Sequence, residues 1–469
     1  MQLFEALRYT QNSVMAFVGA GGKTTALFKA ARELTTIPKP EIPNNTVLVT
    51  TTTHLGLWQA RLADHVIQVN SESDLRRLEM RLPSGVVILT GEETDSRLTG
   101  MSSRLLEEIQ CLAEKHQLPL LIEADGSGSR PLKAPATHEP AIPEFSQYVV
   151  VVAGLSGLGK RLTSDWVHRP EIFAKLSGLN PGDEITVAAM VNVLRSREGG
   201  LKNIPPLARK VLLLNQADTI AIRAQGRVIS EHLKSEYRTT VISSLNKNNV
   251  DTEGMNIPIE NQGNIHAVVE PIAGIILAAG RSSRFGEPKQ LLLWKGHPII
   301  RHVILAAIKA GLDPIVVVVG SSGQEIEKVI SDLPVRIVDN PEWINGVSSS
   351  IRVGISSLRR DVGGVVFLQA DQPQTSYVLI EKLVQAHQET LNSIIAPLIN
   401  GDQGNPVLFD EKVFKDLKML EGDIGGRALF SQFPVQWLTW QDLNQLFDID
   451  TPDDYKKFLE MFPDNEEKS

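Results

Sequence analysis

The sequence contains very little cysteine, with Cys111 the only one among 469 residues. A single cysteine excludes an intrachain disulfide and any metal site built from a cysteine cluster. Cys111 lies in LLEEIQCLAEKH, which has a helical pattern, and we expect it to be a small core residue rather than a nucleophile.

Long apolar runs are missing too. No run approaches the roughly 18 residues that a membrane span needs. The start, MQLFEALRYTQN, lacks the basic region and apolar core of a secretory signal. We therefore expect a cytoplasmic protein. The formal net charge of −8 argues against a broad nucleic-acid surface, so any phosphate binding should be local.

The chain is long for a single core, because domains typically hold about 100 to 200 residues. The stretch NKNNVDTEGMNIPIENQGNIH is rich in Asn and Gly and lacks sustained periodicity, which predicts a linker. We expect one domain over residues 1–250, a linker over 251–270 and a second domain over 271–469. Alternating strand and helix patterns indicate an α/β fold in both halves: a P-loop-type parallel sheet, then a mostly parallel Rossmann-like sheet.

The first half opens with an apolar strand, VMAFV, a glycine-rich loop and a helical pattern. These three elements make an anion site, because unpaired N–H groups and the helix dipole point at the same place. Two residues separate Gly19 from Gly22, whereas a Walker A loop has four, so this is a shortened P-loop that resembles the loop of Mur ligases. We expect ATP or GTP binding, with a structural turn as the alternative, at Gly19, Ala20, Gly21, Gly22, Lys23, Thr24 and Thr25.

Carboxylates follow a later apolar strand, LPLLIE. By analogy with P-loops, Lys23 would reach the β and γ phosphates and Thr24 would hold Mg²⁺ through its hydroxyl. Asp125 is predicted as a magnesium ligand of the Walker B type, with a capping role as the alternative, and Glu123 could serve in the same way. Lys133, on the next proline-rich loop, is interpreted as a plain loop residue.

Another strand pattern, KVLLLNQAD, ends at Asn215 and Asp218. It resembles the NKxD motif of GTP-binding proteins, in which the aspartate accepts hydrogen bonds from guanine. Gln216 replaces the lysine of that motif, so guanine preference and base contact both stay open.

As a set, VGAGGKTT, VTTTTH, IEADGS, LKAP with HEP, HRPE and NQAD resemble the YqeC-like family over about residues 1–250. The resemblance implies a nucleotide-binding accessory domain for selenium-dependent molybdenum hydroxylases. A molybdenum hydroxylase apoenzyme is then the expected protein partner.

The second half opens on GIILAAGRSSRFGEPKQ, residues 274–290, where an apolar run breaks into a glycine-bearing loop. Small residues let backbone N–H groups approach an anion closely, and Arg284 and Lys289 add positive charge on either side of Gly286. A triphosphate is the expected ligand. The alternative is an ordinary strand-to-loop turn with solvated charges.

The spacing of this loop resembles nucleotidyltransferases that join an NMP unit to a phosphorylated acceptor and release pyrophosphate. LAAGRSSRFGEPKQ is most similar to the molybdenum cofactor cytidylyltransferases among the MobA-like NTP transferases. Guanylyltransferases of that group usually read LAGG, so LAAG favours cytidine by resemblance. The resemblance implies CTP as substrate, molybdopterin as acceptor, Mg²⁺ as cofactor, and catalytic roles for Arg284, Lys289 and Asp371.

The same resemblance implies the residues around each ligand. The nucleotide is expected at Leu277, Ala278, Ala279, Gly280, Arg281, Ser282, Arg284, Gly286, Lys289 and Ser348. The acceptor is expected at Ser349, Ser350, Arg352, Gly404, Asn405, Pro406, Asp423, Gly425 and Arg427. Asp371 would bind Mg²⁺ with Asp448 or Asp450, which alternate with apolar residues and so should share one face of a strand. Helix capping is the rival role for Asp450.

Two other functions fit the same motifs. One is a cofactor-binding chaperone whose nucleotide loops act as switches without net transfer. The other is a nucleotidyltransferase for another phosphorylated acceptor. The missing hexapeptide repeats argue against the bifunctional sugar enzymes.

Overall fold

The computed structural model describes residues 1–10, 12–37, 45–94, 97–126, 128–245, 264–280 and 285–463. The chain forms two compact units, Met1–Val269 and Glu270–Ser469. Most of the predicted linker lies outside the described residues. Its last part does not: residues 264–269 form a strand in the first unit, which corrects the predicted end of the linker. Ala267 and Val268 on this strand are buried, and their burial offsets the cost of ordering it.

The first unit contains fourteen strands, several of only two residues. They are β1 (Val14–Gly19), β2 (Thr46–Thr51), β3 (Leu55–Gly56), β4 (His65–Gln68), β5 (Gly85–Thr90), β6 (Glu93–Thr94), β7 (Arg97–Leu98), β8 (Leu120–Glu123), β9 (Leu132–Lys133), β10 (Tyr148–Gly154), β11 (Val167–His168), β12 (Arg209–Asn215), β13 (Thr239–Ser244) and β14 (Asn264–Val269). Counts in this unit refer to the described part of the chain.

Eight helices accompany these strands in the described residues. They are α1 (Leu3–Ala6), α2 (Lys23–Thr35), α3 (Leu57–Ala60), α4 (Glu72–Met80), α5 (Ser103–Lys115), α6 (Pro170–Ser177), α7 (Val187–Arg195) and α8 (Ile220–Leu233). Helix α6 begins at Pro170, directly after Arg169, because the fixed φ of proline suits the first position of a helix. No described helix is long and apolar enough to cross a membrane.

The main sheet of the first unit has nine strands in the order β14-β13-β12-β10-β1-β8-β2-β5-β4. Every pair is parallel except β13 with β14. The apolar runs of its central strands are buried on both faces, as parallel sheets require. Because β1 and β8 are neighbours, the loop at Gly19 and the carboxylates after β8 reach the same edge.

Helix α5 corrects the expectation for Cys111, which is exposed. The buried face of this helix consists of Leu106, Ile109, Leu112 and Ala113, spaced three and four residues apart. Cys111 falls between these positions and points away from the core.

The second unit contains ten strands in the described residues. They are β15 (Ile272–Ala278), β16 (Leu293–Trp294), β17 (His297–Pro298), β18 (Ile315–Val319), β19 (Arg336–Asp339), β20 (Gly364–Gln369), β21 (Ile394–Ile399), β22 (Asp402–Gln403), β23 (Val407–Asp410) and β24 (Val435–Trp440). Its α-helices are α9 (Ile299–Lys309), α10 (Gly323–Ile330), α11 (Val347–Ser356), α12 (Tyr377–Thr390), α13 (Phe414–Lys418) and α14 (Pro452–Met461).

The sheet of this unit runs β19-β18-β15-β20-β23-β21-β22, with β24 parallel to β21. Pairs among β19, β18, β15 and β20 are parallel, and β23 enters antiparallel. The mostly parallel α/β sheet predicted for each half is confirmed. Apolar clusters cover both faces of the sheet, which leaves the carboxyl ends of β15 and β20 open for a ligand.

Candidate functional site

In the second unit, Lys289 connects the loop after β15 to the acid after β20. Its Nζ lies 2.8 Å from an Asp371 carboxylate oxygen and 3.0 Å from one of Asp450. Burial opposes the charge on Lys289, but the two carboxylates outweigh it and raise its pKa. The lysine therefore stays cationic, and the predicted pair of Lys289 and Asp371 is brought together.

A cavity of about 990 Å³ opens beside this cluster. Leu277 lines it from the end of β15, Ala279 and Gly280 from the following loop, and Ser350 and Asp423 from other segments. The space lies within the range of small-molecule sites, which is about 300 to 1,000 Å³. Predicted residues from both the nucleotide and the acceptor sets thus face one cavity.

Three of the other predicted nucleotide residues, Ala278, Gly286 and Ser348, are described and lie outside the lining of this cavity. Ala278 is buried in the sheet, and Ser348 is buried with its hydroxyl donating to Gly422 O at 2.6 Å. Gly286 stands in a turn with φ of 85°, which glycine adopts readily. Arg281, Ser282 and Arg284 lie outside the described residues.

The predicted acceptor residues separate into two groups. Ser350 and Asp423 line the cavity, whereas the others are outside its lining: Ser349, Arg352, Gly404, Asn405, Pro406, Gly425 and Arg427. Ser349 is buried, and its hydroxyl accepts from Asn340 at 2.9 Å and donates to Gly346 O at 2.8 Å. Arg427 donates to Asn405 Oδ1 at 3.1 Å. Their contact with an acceptor stays a prediction.

Asp448 and Asp450 flank the fully buried Ile449. Residues 447–450 have no regular secondary structure, so the expected strand is wrong, although the alternation around Ile449 is kept. Burial, together with Asp371 and Asp450, raises the pKa of Asp448, and a hydrogen bond from Gln372 opposes that shift. The cap of α14 is Thr451 with Asp454, which leaves Asp450 free of the rival role.

Within the described residues, no group of three or more His, Cys, Asp or Glu side chains has the spacing of a metal site. Asp371 and Asp450 nevertheless meet at Lys289 Nζ. Two carboxylate oxygens with room beside them are suitable partial ligands for Mg²⁺, which usually takes its remaining ligands from water and phosphate.

Sequence reasoning missed several residues of this cavity. Trp343 packs over Gly320, where a Cβ would come within 2.9 Å of the indole. Gln290 is buried, and its Oε1 has no hydrogen-bond partner among the described residues. Gln369 lines the cavity beside Asp371. The sequence signal for the two glutamines was their position close to predicted site residues. Gln290 follows Lys289 directly, and Gln369 lies two residues before Asp371.

In the first unit, the shortened loop depends on glycine. A Cβ at Gly19 would lie 2.2 Å from Val152 O, and one at Gly21 would lie 2.3 Å from Gly154 N. The amides of Gly19, Ala20 and Gly21 already donate to protein acceptors. In the described part of the chain, the amides of residues 22–25 have none, so the start of α2 is the part of this loop whose amides could bind an anion.

The side chains at the start of α2 contact the carboxylates that follow β8. Lys23 forms ion pairs with Asp125 and, at 3.5 Å, with Glu123. Thr24 donates to Glu123 Oε2 at 3.0 Å, and Gln59 Nε2 donates to Thr24 at 2.8 Å. Burial opposes the charge of Lys23, but Asp125 and Glu123 outweigh it and raise its pKa.

The ionic cluster extends further than the sequence predicted. Lys133 is buried and lies 2.8 Å from both Asp125 and Glu139, and Arg169 binds Glu139 through two hydrogen bonds. Burial works against the Glu139 carboxylate, but Arg169 and Lys133 outweigh it and lower its pKa to about 2. The interpretation of Lys133 as a plain loop residue is therefore wrong. The proline-rich sequence around Lys133 gave no indication that its side chain would form an ion pair with Asp125.

A cavity of about 710 Å³ covers the start of α2. Gly21, Gly22, Lys23, Thr24, Thr25, His54, Gly56, Leu57, Trp58, Gln59, Leu62, Arg97, Glu123, Gly126, Gly128, Ser129, Arg130 and Gln216 line it. The predicted loop residues from Gly21 to Thr25 therefore face one space.

The NQAD segment lies beside the loop. Asn215 is buried, donates to Gly21 O at 2.8 Å, and accepts from Ser243 at 3.1 Å and Leu245 N at 2.8 Å. Its amide supports the loop. Asp218 is exposed and outside the cavity lining, whereas Gln216 is part of the lining. Base contact by Asn215 and Asp218 stays a prediction.

Comparison with known families matches each unit separately. Residues 15–171 match the model of the YqeC protein family, and residues 274–437 match the MobA-like NTP transferase domain. Asp448 and Asp450 lie beyond the second match.

Three proteins illustrate these similarities. The uncharacterized protein YqeC of Escherichia coli (strain K12) is 32% identical over 205 residues, covering 44% of this chain and 76% of that protein. A probable molybdenum cofactor guanylyltransferase of Bacillus cereus (strain Q1) is 30% identical over 194 residues, covering 39% of this chain and 93% of that protein. Nicotine blue oxidoreductase of Paenarthrobacter nicotinovorans is 27% identical over 199 residues, covering 41% of this chain and 95% of that protein.

Proposed function

Because the chain belongs to the YqeC protein family through its first unit and to the MobA-like NTP transferases through its second, we propose that it transfers CMP from CTP to molybdopterin and releases pyrophosphate. The observation that supports this most is the Lys289 cluster. The ammonium group of Lys289 links the glycine loop to Asp371 and Asp450. The cavity beside it is large enough for both substrates.

The reaction is an in-line displacement at the α-phosphorus of CTP. A phosphate oxygen of the acceptor forms the new bond, and the bond to the bridging oxygen of the pyrophosphate breaks. Such a transfer needs alignment and charge neutralisation more than covalent help from the protein. In this proposal Lys289 supplies a positive charge at the phosphates, and Ser350 and Asp423, which line the cavity, orient the acceptor.

Asp371 and Asp450 are the residues that would hold Mg²⁺. The raised pKa of Asp448 has burial as its first cause and the neighbouring carboxylates as another, so this corner of the cavity carries excess negative charge. A divalent cation there would neutralise charge on the triphosphate. We expect the ion pair of Lys289 to rearrange toward the phosphates when nucleotide binds.

The choice of CTP is supported by Ala279. Its methyl group lines the cavity and occupies space that a glycine would leave open. The relative named above is a guanylyltransferase, so the base preference of this chain depends on how such local differences fill the pocket.

For the first unit we propose binding of ATP or GTP at the start of α2, with Lys23 on the phosphates and Thr24 and the β8 carboxylates around Mg²⁺. This unit would act as an accessory domain during delivery of the cofactor to a molybdenum hydroxylase, which the family resemblance implies to be selenium-dependent. Nucleotide binding is supported by the unpaired amides of residues 22–25 in the described chain.

A panel of nucleotides tests the transferase proposal. The full chain is incubated with each NTP and Mg²⁺, with and without molybdopterin, and pyrophosphate and phosphate are measured separately. We expect acceptor-dependent pyrophosphate release with CTP, lost in Lys289→Ala and kept in Lys23→Ala. A chaperone would release no pyrophosphate under any condition. A transferase for another acceptor would show no increase in pyrophosphate release when molybdopterin is added.

A further inference from the structure

An exposed tryptophan stands over the phosphate loop of the first unit. Trp58 is 59% exposed although it lines the cavity at α2. A Cβ at Gly56 would come within 3.1 Å of the indole, so the ring rests on the bare backbone of that glycine. Large aromatic side chains bury apolar area when they can, so an open indole beside a cavity is suited to a ligand.

The segment that carries Trp58 is fixed to the phosphate site. Gln59 donates to the Thr24 hydroxyl at 2.8 Å and accepts from Gly56 N at 2.8 Å. These two bonds tie the backbone beside Trp58 to Thr24, so the indole belongs to a segment that is anchored at the phosphate site.

Its position indicates which end of a nucleotide it faces. In P-loop proteins the loop lysine lies at the β and γ phosphates, and the loop threonine and the Walker B carboxylate hold the metal that bridges them. Thr24 and Glu123 occupy that end here, and Gln59 bonds to Thr24 directly. Trp58 thus lies beyond the terminal phosphate. Gln216 lines the cavity on the opposite side of the loop. It follows Asn215, whose side chain donates a hydrogen bond to Gly21 O.

Positive charge lies beside the indole. The pairing of β3 with β7 puts Arg97 opposite Gly56, and His54 lines the same cavity. Within the described residues, the Arg97 guanidinium has no carboxylate partner, and its residue is exposed. A guanidinium recognises carboxylate or phosphate through paired hydrogen bonds, and an indole face stacks on planar rings.

We infer that His54, Trp58 and Arg97 form a second binding site, the Trp58 pocket, for a planar anionic small molecule held next to the terminal phosphate of the nucleotide. The inference rests on the nucleotide binding proposed for the first unit. It assigns Trp58 to the second ligand and not to the nucleotide base.

Quinoline-2-carboxylate, a planar bicyclic anion, is the probe. Isothermal titration of the full chain measures its Kd with and without Mg²⁺ and the non-hydrolysable analogue AMPPNP, and measures the Kd of AMPPNP separately. We expect Trp58→Ala to weaken probe binding about tenfold and Trp58→Phe to restore most of it, because stacking needs an aromatic face. The affinity for AMPPNP should stay within about twofold.

The charge requirement is tested in the same way. Arg97→Gln should weaken the probe about tenfold and leave neutral quinoline unaffected, whereas Arg81→Gln, at an exposed position away from the cavity lining, should change neither. Cyclohexanecarboxylate, an anion without a planar ring, should bind the wild-type chain weakly.

The outcomes separate this inference from the proposal beneath it. If Trp58→Ala weakens AMPPNP as much as the probe, the indole is a base platform and the inference is wrong. A wild-type chain that binds AMPPNP but not the probe also overturns it. Probe binding by a chain that binds neither AMPPNP nor its guanine counterpart GMPPNP would instead contradict the proposed nucleotide site and support the Trp58 pocket by itself.

Discussion

Each unit holds a loop lysine between two carboxylates, but the two clusters differ in burial. The side chains of Lys23 and Asp125 are both 2% exposed, and that of Glu123 is 8% exposed. Lys289 is 14% exposed, while Asp371 and Asp450 are 31% and 55% exposed.

The difference in burial gives the same arrangement two energetic roles. Removing one partner from a buried cluster leaves a charge without compensation, which is strongly destabilising. In an open cluster water solvates the remaining charges, so the ion pair adds little to folding. Lys23 should therefore matter to the fold and to binding, whereas Lys289 should matter mainly to the chemistry.

The largest effect is expected from Lys289→Ala. A unit charge about 4 Å from a phosphate is worth about 4 kcal/mol at an effective dielectric near 20, so the rate of pyrophosphate release should fall about a thousandfold. CTP should still bind, because the loop and the remaining cavity wall persist. Steady-state kcat and a direct CTP titration measure the two effects.

Lys328→Ala is the matched control for that variant, since Lys328 is an exposed lysine on α10 of the same unit. It should keep wild-type turnover. Turnover near the wild-type rate in Lys289→Ala would remove the lysine from the catalytic role.

Next in size is the effect of Lys23→Met on folding. Leaving Asp125 and Glu123 without Lys23 should reduce the local stability around β1 and β8 by about 3 kcal/mol. Lys289→Met should cost less than about 1 kcal/mol around β15 and β20. Hydrogen exchange measured by mass spectrometry reports both regions in one sample. Equal losses in the two variants would show that burial does not distinguish the clusters.

A smaller loss is expected from Glu139→Gln, which leaves Lys133 and Arg169 without their shared carboxylate. We expect about 2 kcal/mol less stability at pH 7. The pKa of Glu139 is lowered from 4.5 to about 2, so its stabilising effect is complete above pH 4.5 and is lost as the pH falls toward 2. Urea unfolding between pH 3 and 7 should show the gap between wild type and variant closing at low pH, and a constant gap would contradict the ion-pair role.

The smallest effect concerns base choice. Ala279→Gly removes a methyl group from the cavity wall and should shift the ratio of kcat/KM for GTP over CTP upward by about tenfold. Competition between the two nucleotides in one reaction measures the ratio directly. An unchanged ratio would place base discrimination elsewhere in the cavity.

Much of the fold was accessible from local patterns. The strand before Gly19, the strand before Gly280 and the proline-initiated helix α6 all follow from apolar runs and turn chemistry. The family resemblance of the Gly280 loop implied catalytic roles for Lys289 and Asp371, and the fold brings the two side chains together.

Other features depend on contacts between distant segments. In the sequence Lys133 resembles an ordinary loop lysine. In the structure it belongs to β9 and forms an ion pair with Asp125. The residues around Trp58 in the sequence do not indicate that it lies near the phosphate loop. That proximity depends on the hydrogen bond from the adjacent Gln59 to Thr24. Cys111 is a different case, because the spacing of the apolar residues in α5 already indicates the buried face and Cys111 lies outside it.

Two α/β units, each with an apolar strand that leads into a glycine-bearing loop, could be predicted from the order of neighbouring residues. The burial of each lysine cluster and the surroundings of Trp58 became clear only from contacts between distant segments. Burial depends on which distant chain segments exclude water from a charge, and no short stretch of sequence contains that information.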